Sequence, residues 1–159
     1  MLSCRQELDR RSTRSVGRAV TAVLVAAALT VVGCADDDGP PLAGTWQLIE
    51  GVGPDGEVAL VDGYPVTLEI DGEEWRGTAA CNTYGATATV HGDQVEIDEL
   101  FATEMACPED DVMSSEAAYL AALGEVDEVD VDDAEAEERE LHLRGPATQL
   151  TFIWTETSA

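Results

Sequence analysis

Val66-Thr67-Leu68-Glu69-Ile70, followed by Asp71-Gly72 and by Trp75-Arg76-Gly77-Thr78-Ala79, is the stretch that decides the fold. Val66, Leu68 and Ile70 alternate with Thr67 and Glu69, the period of two that a strand shows when one face is buried and the other is wet. Asp71-Gly72 is a hairpin turn signal, and the chain from Trp75 to Ala79 returns as the partner strand.

The same grammar continues on both sides. Upstream, Gly44-Thr45-Trp46-Gln47-Leu48-Ile49 alternates as a strand, and the glycines and Pro54 between Gly51 and Gly56 predict that it ends in a turn there. Downstream, Thr87-Ala88-Thr89-Val90, His91-Gly92-Asp93 and Gln94-Val95-Glu96-Ile97 read strand, turn, strand. Leu141-His142-Leu143 and Leu150-Thr151-Phe152-Ile153-Trp154 flank Gly145-Pro146 as a last hairpin, with Leu150, Phe152 and Trp154 on one face. Val129 and Val131 keep a two-residue alternation inside a run from Glu125 to Glu140 in which ten of sixteen residues are acidic; the centre of that run reads as a solvated loop.

One segment has a helical period. Pro108 followed by Glu109, Asp110 and Asp111 suits a first turn and its dipole. Met113, Ala117 and Leu120, joined by Val112, Tyr119 and Leu123, form the expected apolar stripe, and Gly124 is the expected glycine C-cap of a helix over about 109–123. Roughly eight short strands and one helix predict a mainly β (α+β) domain, a curled antiparallel sheet or small barrel plugged by the helix.

The N-terminal segment reads as an address. Arg5, Arg10, Arg11, Arg14 and Arg18 precede an apolar run from Ala19 to Val32, and its 14 residues are too few for a membrane span, which needs about 20. Val31-Val32-Gly33-Cys34 closes the run as a bacterial lipoprotein processing site does. The expectation is therefore a cleaved leader over 1–33, a fatty-acylated Cys34 opening an acidic, proline-containing tether over 34–42, the domain over 43–155 and a tail over 156–159. The predicted location is the extracytoplasmic face of a cell membrane, held by lipid.

Without residues 1–33 the 159-residue chain keeps 126 residues, 31 acids, three arginines (Arg76, Arg139, Arg144) and no lysine, a formal charge of −28. Such a surface repels phosphate backbones and anionic head groups, so nucleic acid is excluded as a partner and the membrane is reached through the lipid alone. It suits solvation in concentrated salt and plain solubility equally, and cations are expected to gather on it diffusely.

Four pieces in order, Gly44-Thr45-Trp46-Gln47-Leu48, Cys81-Asn82-Thr83-Tyr84-Gly85, Ala102-Thr103-Glu104-Met105-Ala106-Cys107 and Leu150-Thr151-Phe152, resemble the META domain of HslJ-like, heat-shock-associated bacterial lipoproteins. The motif positions are Trp46, Cys81, Asn82, Tyr84, Thr103, Met105 and Cys107, and the family places a glycine where this chain has Ala80. The resemblance implies an antiparallel, barrel-like sheet with a helix, and links to heat shock, antibiotic tolerance and envelope maintenance without an assigned reaction.

Chemistry-bearing residues are few. Cys4 leaves with the leader and Cys34 is acylated, which leaves Cys81 and Cys107 as a disulfide in an oxidising compartment, as two buried free thiols, or as a strained, redox-sensing bridge. Asn82 is expected to bond its own turn backbone, and Tyr84 to pack on the sheet. His91 lies in a turn and His142 between two leucines, so neither looks recruited as a catalytic base, and no nucleophile elbow or phosphate loop is present. Asp130-Val131-Asp132 begins a calcium-loop pattern that Ala134, Glu135 and Leu141 break, so no metal and no cofactor are expected. Trp46, Trp75 and Trp154 read as core before they read as a pocket lining. The functional expectation is a non-enzymatic envelope protein acting on an unidentified envelope protein partner. Its rivals are a barrel module holding a small apolar ligand and a redox-responsive protein using Cys81 and Cys107.

Overall fold

The computed structural model describes residues 42–107, 109–132 and 139–155. The strands are β1 (Gly44–Gly53), β2 (Gly56–Glu57), β3 (Thr67–Asp71), β4 (Glu74–Ala79), β5 (Asn82–His91), β6 (Gln94–Ala102), β7 (Glu128–Asp132), β8 (Glu140–Gly145) and β9 (Thr148–Thr155), with one helix, α1 (Asp110–Leu123), between β6 and β7. All pairings are antiparallel, each long strand pairs with the next, and β9 returns to pair with β1, so β1 and β3 to β9 close an eight-stranded barrel while β2 extends the end of β1. The predicted mainly β fold with one packed helix is the observed one.

Closure removes the sheet edges that an open meander would expose. The seam is thinnest between β6 and β7, which share the pair Gln94 and Glu128, flanked by bonds from Val95 N–H to the Asp127 carbonyl (3.0 Å) and from Val129 N–H to the Asp93 carbonyl (2.8 Å). Alternation sends Trp46, Leu68, Trp75, Leu141, Leu143, Leu150 and Phe152 inward, all at most 1 % exposed. Side chains fill a barrel of this size, and the three tryptophans behave as predicted for core: Trp46 and Trp75 are buried, and Trp154 packs edge-on against Trp46 with ring centroids 5.2 Å apart. The Arg139 guanidinium lies over both rings, 5.3 Å from Trp46 and 4.8 Å from Trp154.

Two sequence expectations are corrected and one is refined. β1 ends, as read, in a turn between Gly51 and Gly56, at Pro54 and Asp55, but it runs through Gly51 to Gly53 before turning. A Cβ on Gly53 would stand 2.8 Å from the Ala122 Cβ of α1, and one on Gly51 would stand 3.0 Å from Val58 and Leu150, so these glycines are places of close approach and not turn breakers. The buried stripe of α1 is Val112, Ser115, Tyr119, Ala122 and Leu123, whereas the predicted stripe members Met113 and Ala117 are exposed. The helix is rotated from the predicted face because Tyr119 is drawn in between Tyr84 and Phe152, at 5.4 and 6.5 Å between ring centroids. Gly124 does cap the helix, but in right-handed conformation (φ −68°), its N–H bonding the carbonyls of Leu120 and Ala122, so the left-handed freedom of glycine is not what ends α1. The alternation at Val129 and Val131 is a strand, β7, paired with β8, and the centre of the acidic run lies outside the described residues.

Because β1 and β4 run in the same direction, the β4–β5 turn lies at the end of the barrel toward which β1 runs. There α1 crosses, tied to the loop after β2 by the Ser115 hydroxyl, which donates to the Ala59 carbonyl at 2.6 Å. Leu42 lies at the end from which β1 starts, its carbonyl accepting the Trp46 indole N–H at 2.9 Å.

Candidate functional site

Three of the barrel's two-residue hairpin loops share one form: Gly72-Glu73, Ala80-Cys81 and Gly92-Asp93, closed by the pairs Asp71 and Glu74, Ala79 and Asn82, and His91 and Gln94. The first loop residue is in left-handed conformation in each, with φ of 63° at Gly72, 65° at Gly92 and 59° at Ala80. A backbone of this shape is free to glycine and costs about 1–2 kcal/mol in an alanine. Ala80 is thus a strained residue in the slot that glycine holds elsewhere in the same barrel, and it directly precedes Cys81.

The Cys81 sulfur is bonded to that of Cys107, with Cα atoms 6.3 Å apart. The structure holds a bridge here and not two free thiols. It staples the β4–β5 turn to the segment leading into α1, and Asn82 completes the junction. The Asn82 amide is buried, and its oxygen accepts from the Thr103 hydroxyl and from Met105 N–H, both at 2.8 Å. Its nitrogen donates to the Met105 carbonyl at 3.1 Å and to Glu116 Oε1 at 2.9 Å, so both acceptor and both donor positions are used. Asn82 N–H also donates to Glu116 Oε2 at 2.7 Å. The expectation that Asn82 bonds its own turn is therefore corrected: every partner of its side chain is at least 21 residues away in sequence.

Tyr84 packs on the sheet as read, on its inner face. Its hydroxyl donates to the Thr67 carbonyl at 2.9 Å, and the Tyr119 hydroxyl donates to the Tyr84 oxygen at 2.6 Å. Burial pushes both phenols well above the usual tyrosine range.

Of the motif residues, Cys81, Asn82, Thr103, Met105 and Cys107 meet in one cluster at the α1 end, Tyr84 stands beneath it, and Trp46 belongs to the core without touching Asn82's partners. Gly33 and Cys34 lie outside the described residues. Sequence reasoning missed Glu116. Its signal was present: with Val112, Tyr119 and Leu123 it has the spacing i, i+4, i+7, i+11 of the buried face, and an acid in such a stripe needs partners. His91 and His142 are not in this cluster; His142 faces outward from β8, 3.5 Å from Glu140 and 3.4 Å from the Thr151 hydroxyl.

The donor atoms of Cys81, Cys107 and Glu116 lie within 4.8 Å of one another, which makes this the one group among the described residues with metal-ligand spacing. The cluster brings together a disulfide, a carboxylate and a saturated amide, with no nucleophile and base pair in it.

A family model described as META domain matches residues 40–157. No curated protein matches the chain. Among solved structures, an NMR structure of a protein from Burkholderia xenovorans is similar over 70 % of this chain and 81 % of its own, at 25 % identity and a TM-score of 0.59. A second NMR structure is similar over 73 % of this chain and 92 % of its own, at 17 % identity and a TM-score of 0.50, a likeness of fold alone. The match over the whole barrel, residues 40–157, shows that this chain belongs to the META domain family.

Proposed function

We propose that the chain is a lipid-anchored, non-catalytic protein of the cell envelope that serves stress response or envelope maintenance through contact with another envelope protein. Membership of the META domain family supports a general envelope-associated role. The observation that carries the reading is the bridge between Cys81 and Cys107, since such bonds persist where the surroundings are oxidising, outside the cytoplasm. It agrees with the leader and with Cys34 at its end.

Contact through the outer surface is favoured over carriage of an apolar ligand because Trp46, Trp75, Tyr119, Phe152 and Leu68 fill the barrel interior. The grooves on the domain are shallow and open. That lined by Leu60, Tyr64 and Val66 is about 260 Å³, and that lined by Trp75, Gly85 and Phe101 about 230 Å³. A non-catalytic role is supported by Asn82, whose polar atoms are all spent on holding Thr103, Met105 and Glu116.

Labelling with a fatty acid in the native cell tests the anchor: wild-type chain takes up label and Cys34→Ala does not. Cross-linking in membranes then yields a defined neighbour that the Cys34→Ala chain loses. Recovery of the wild-type chain from cytosol with residues 1–33 still attached refutes the proposal.

A further inference from the structure

We infer that the Cys81, Cys107 and Glu116 cluster is a redox-gated site for a thiophilic divalent cation of the zinc class. The inference rests on this cluster alone and stands whether or not the chain is lipid-anchored.

Three donors from three separate elements converge: Cys81 from the β4–β5 turn, Cys107 from the segment before α1 and Glu116 from the second turn of α1, all within 4.8 Å. Two thiolates and a carboxylate are a ligand set for zinc or cadmium, with a fourth tetrahedral position left for water. The Cα atoms of the cysteines are 6.3 Å apart, so opening the bridge to hold an ion at about 2.3 Å from each sulfur asks for side-chain rotation and little backbone movement.

Glu116 is oriented as metal-binding carboxylates are. Asn82 N–H takes one lone pair of Oε2 and the Asn82 side-chain amide one of Oε1, leaving each oxygen a second lone pair. Asn82 is itself locked by Thr103 and Met105.

Charge favours the ion. Once the bridge opens, two sulfurs that ionise beside Glu116 have no arginine among the described residues committed to offsetting them. Arg76 is paired with Glu69 at 2.6 Å, Arg139 lies over Trp46 and Trp154, and Arg144 is 4.0 Å from Asp130. A divalent cation supplies the missing positive charge.

The step balances as thiol–disulfide exchange. A dithiol reductant gives two electrons and two protons to the Cys81–Cys107 bridge, which becomes two thiols, while the reductant becomes a disulfide. Binding of the ion then releases both protons to solvent. In the oxidised chain neither sulfur is a thiolate and the site is shut.

The test uses the purified chain with Cys4→Ser and Cys34→Ser in every sample, so that Cys81 and Cys107 supply its only sulfur ligands of the thiol kind, treated or not with a phosphine reductant, titrated with Zn²⁺ alone by calorimetry and with Cd²⁺ alone by ultraviolet absorption. The reduced chain is expected to bind one ion with a cadmium–thiolate charge-transfer band, and the oxidised chain to show no such band. Glu116→Gln keeps the band and weakens Zn²⁺ by about 10-fold or more, the loss seen even when an outer partner of a ligand is removed. The Cys81→Ser/Cys107→Ser double variant loses the band. If the reduced chain unfolds, Zn²⁺ restores its near-ultraviolet dichroism, which an unfolded dithiol lacking Glu116 in place cannot do. The inference fails if the reduced chain gives no band, if Zn²⁺ affinity is the same in the oxidised chain or the double variant, if Glu116→Gln binds as wild type, or if Zn²⁺ does not refold an unfolded reduced chain.

Discussion

Asn82 and Glu116, 34 residues apart, are joined by two hydrogen bonds, from the Asn82 backbone N–H at 2.7 Å and from its side-chain amide at 2.9 Å. The pair locks the β4–β5 turn to the second turn of α1, beside the bridge that ties the same turn to the segment before the helix. Two independent fastenings thus hold one corner of the barrel, and each makes a separate expectation.

Asn82→Ala removes in one step the partners of Met105 N–H, of the Met105 carbonyl and of Glu116 Oε1 and the shorter bond of the Thr103 hydroxyl, while the backbone N–H at 82 still donates to Glu116 Oε2. With buried groups left unpaired at about 1–3 kcal/mol each and some recovery through water, the expected loss is about 3 kcal/mol. It is read as a lowered urea midpoint at constant slope. A loss under about 1 kcal/mol would show that solvent replaces the amide fully.

Ala80→Gly is expected to stabilise the domain. Relief of the left-handed strain is about 1–2 kcal/mol, and the extra freedom glycine brings to the unfolded chain offsets about 0.4–1 of it, leaving a net gain of about 0.5–1 kcal/mol. The same change at Ala79, which is buried in extended β4, gives a loss, so the two variants compared by thermal unfolding separate relief of strain from a general glycine effect.

Opening the bridge removes a closure of 26 residues, for which the chain-entropy relation gives about 3.5 kcal/mol. The Cys81→Ser/Cys107→Ser variant is expected to unfold at correspondingly lower urea. Mass measurement after alkylation of unreduced protein adds nothing to Cys81 or Cys107 if they are bonded as here, and labels both if they are free.

Alkali is expected to unfold the domain early. Tyr84 and Tyr119 are raised by burial in the folded state, while in the unfolded chain they ionise near the ordinary value of 10. Above that pH the unfolded state holds fewer protons than the folded one, so stability falls as pH rises. Their contribution is complete below about pH 10 and is lost progressively above it. Tyr84→Phe/Tyr119→Phe flattens that decline, which a urea midpoint series from pH 8 to 12 measures; an unchanged decline would assign it to other groups.

Much of the barrel was legible along the chain, because each hairpin is a local object. Val66 to Ala79 carries its own alternation and its own turn glycine, and the structure pairs it as read. The errors arose where a residue's role depends on a distant element. The turn read between Gly51 and Gly56 is present, but that Gly51 and Gly53 belong to the strand before it is seen only once Ala122, Val58 and Leu150 are set beside them. Met113 and Ala117 make as good a stripe as Val112, Ser115 and Tyr119 until Tyr84 and Phe152 select one face. Asn82 looks like any turn asparagine until loop and helix close over it.

Alternation and turn glycines, properties of neighbouring residues, determined by themselves that this protein is an antiparallel β domain with one helix after Cys107. The register in which β9 meets β1, the face α1 buries and the meeting of Cys81, Cys107, Asn82 and Glu116 were decided only in three dimensions. The physical reason is that closing the barrel is a condition on Thr45 and Thr155, 110 residues apart, and saturating a buried amide one on groups 21 to 34 residues apart, which no local pattern can express.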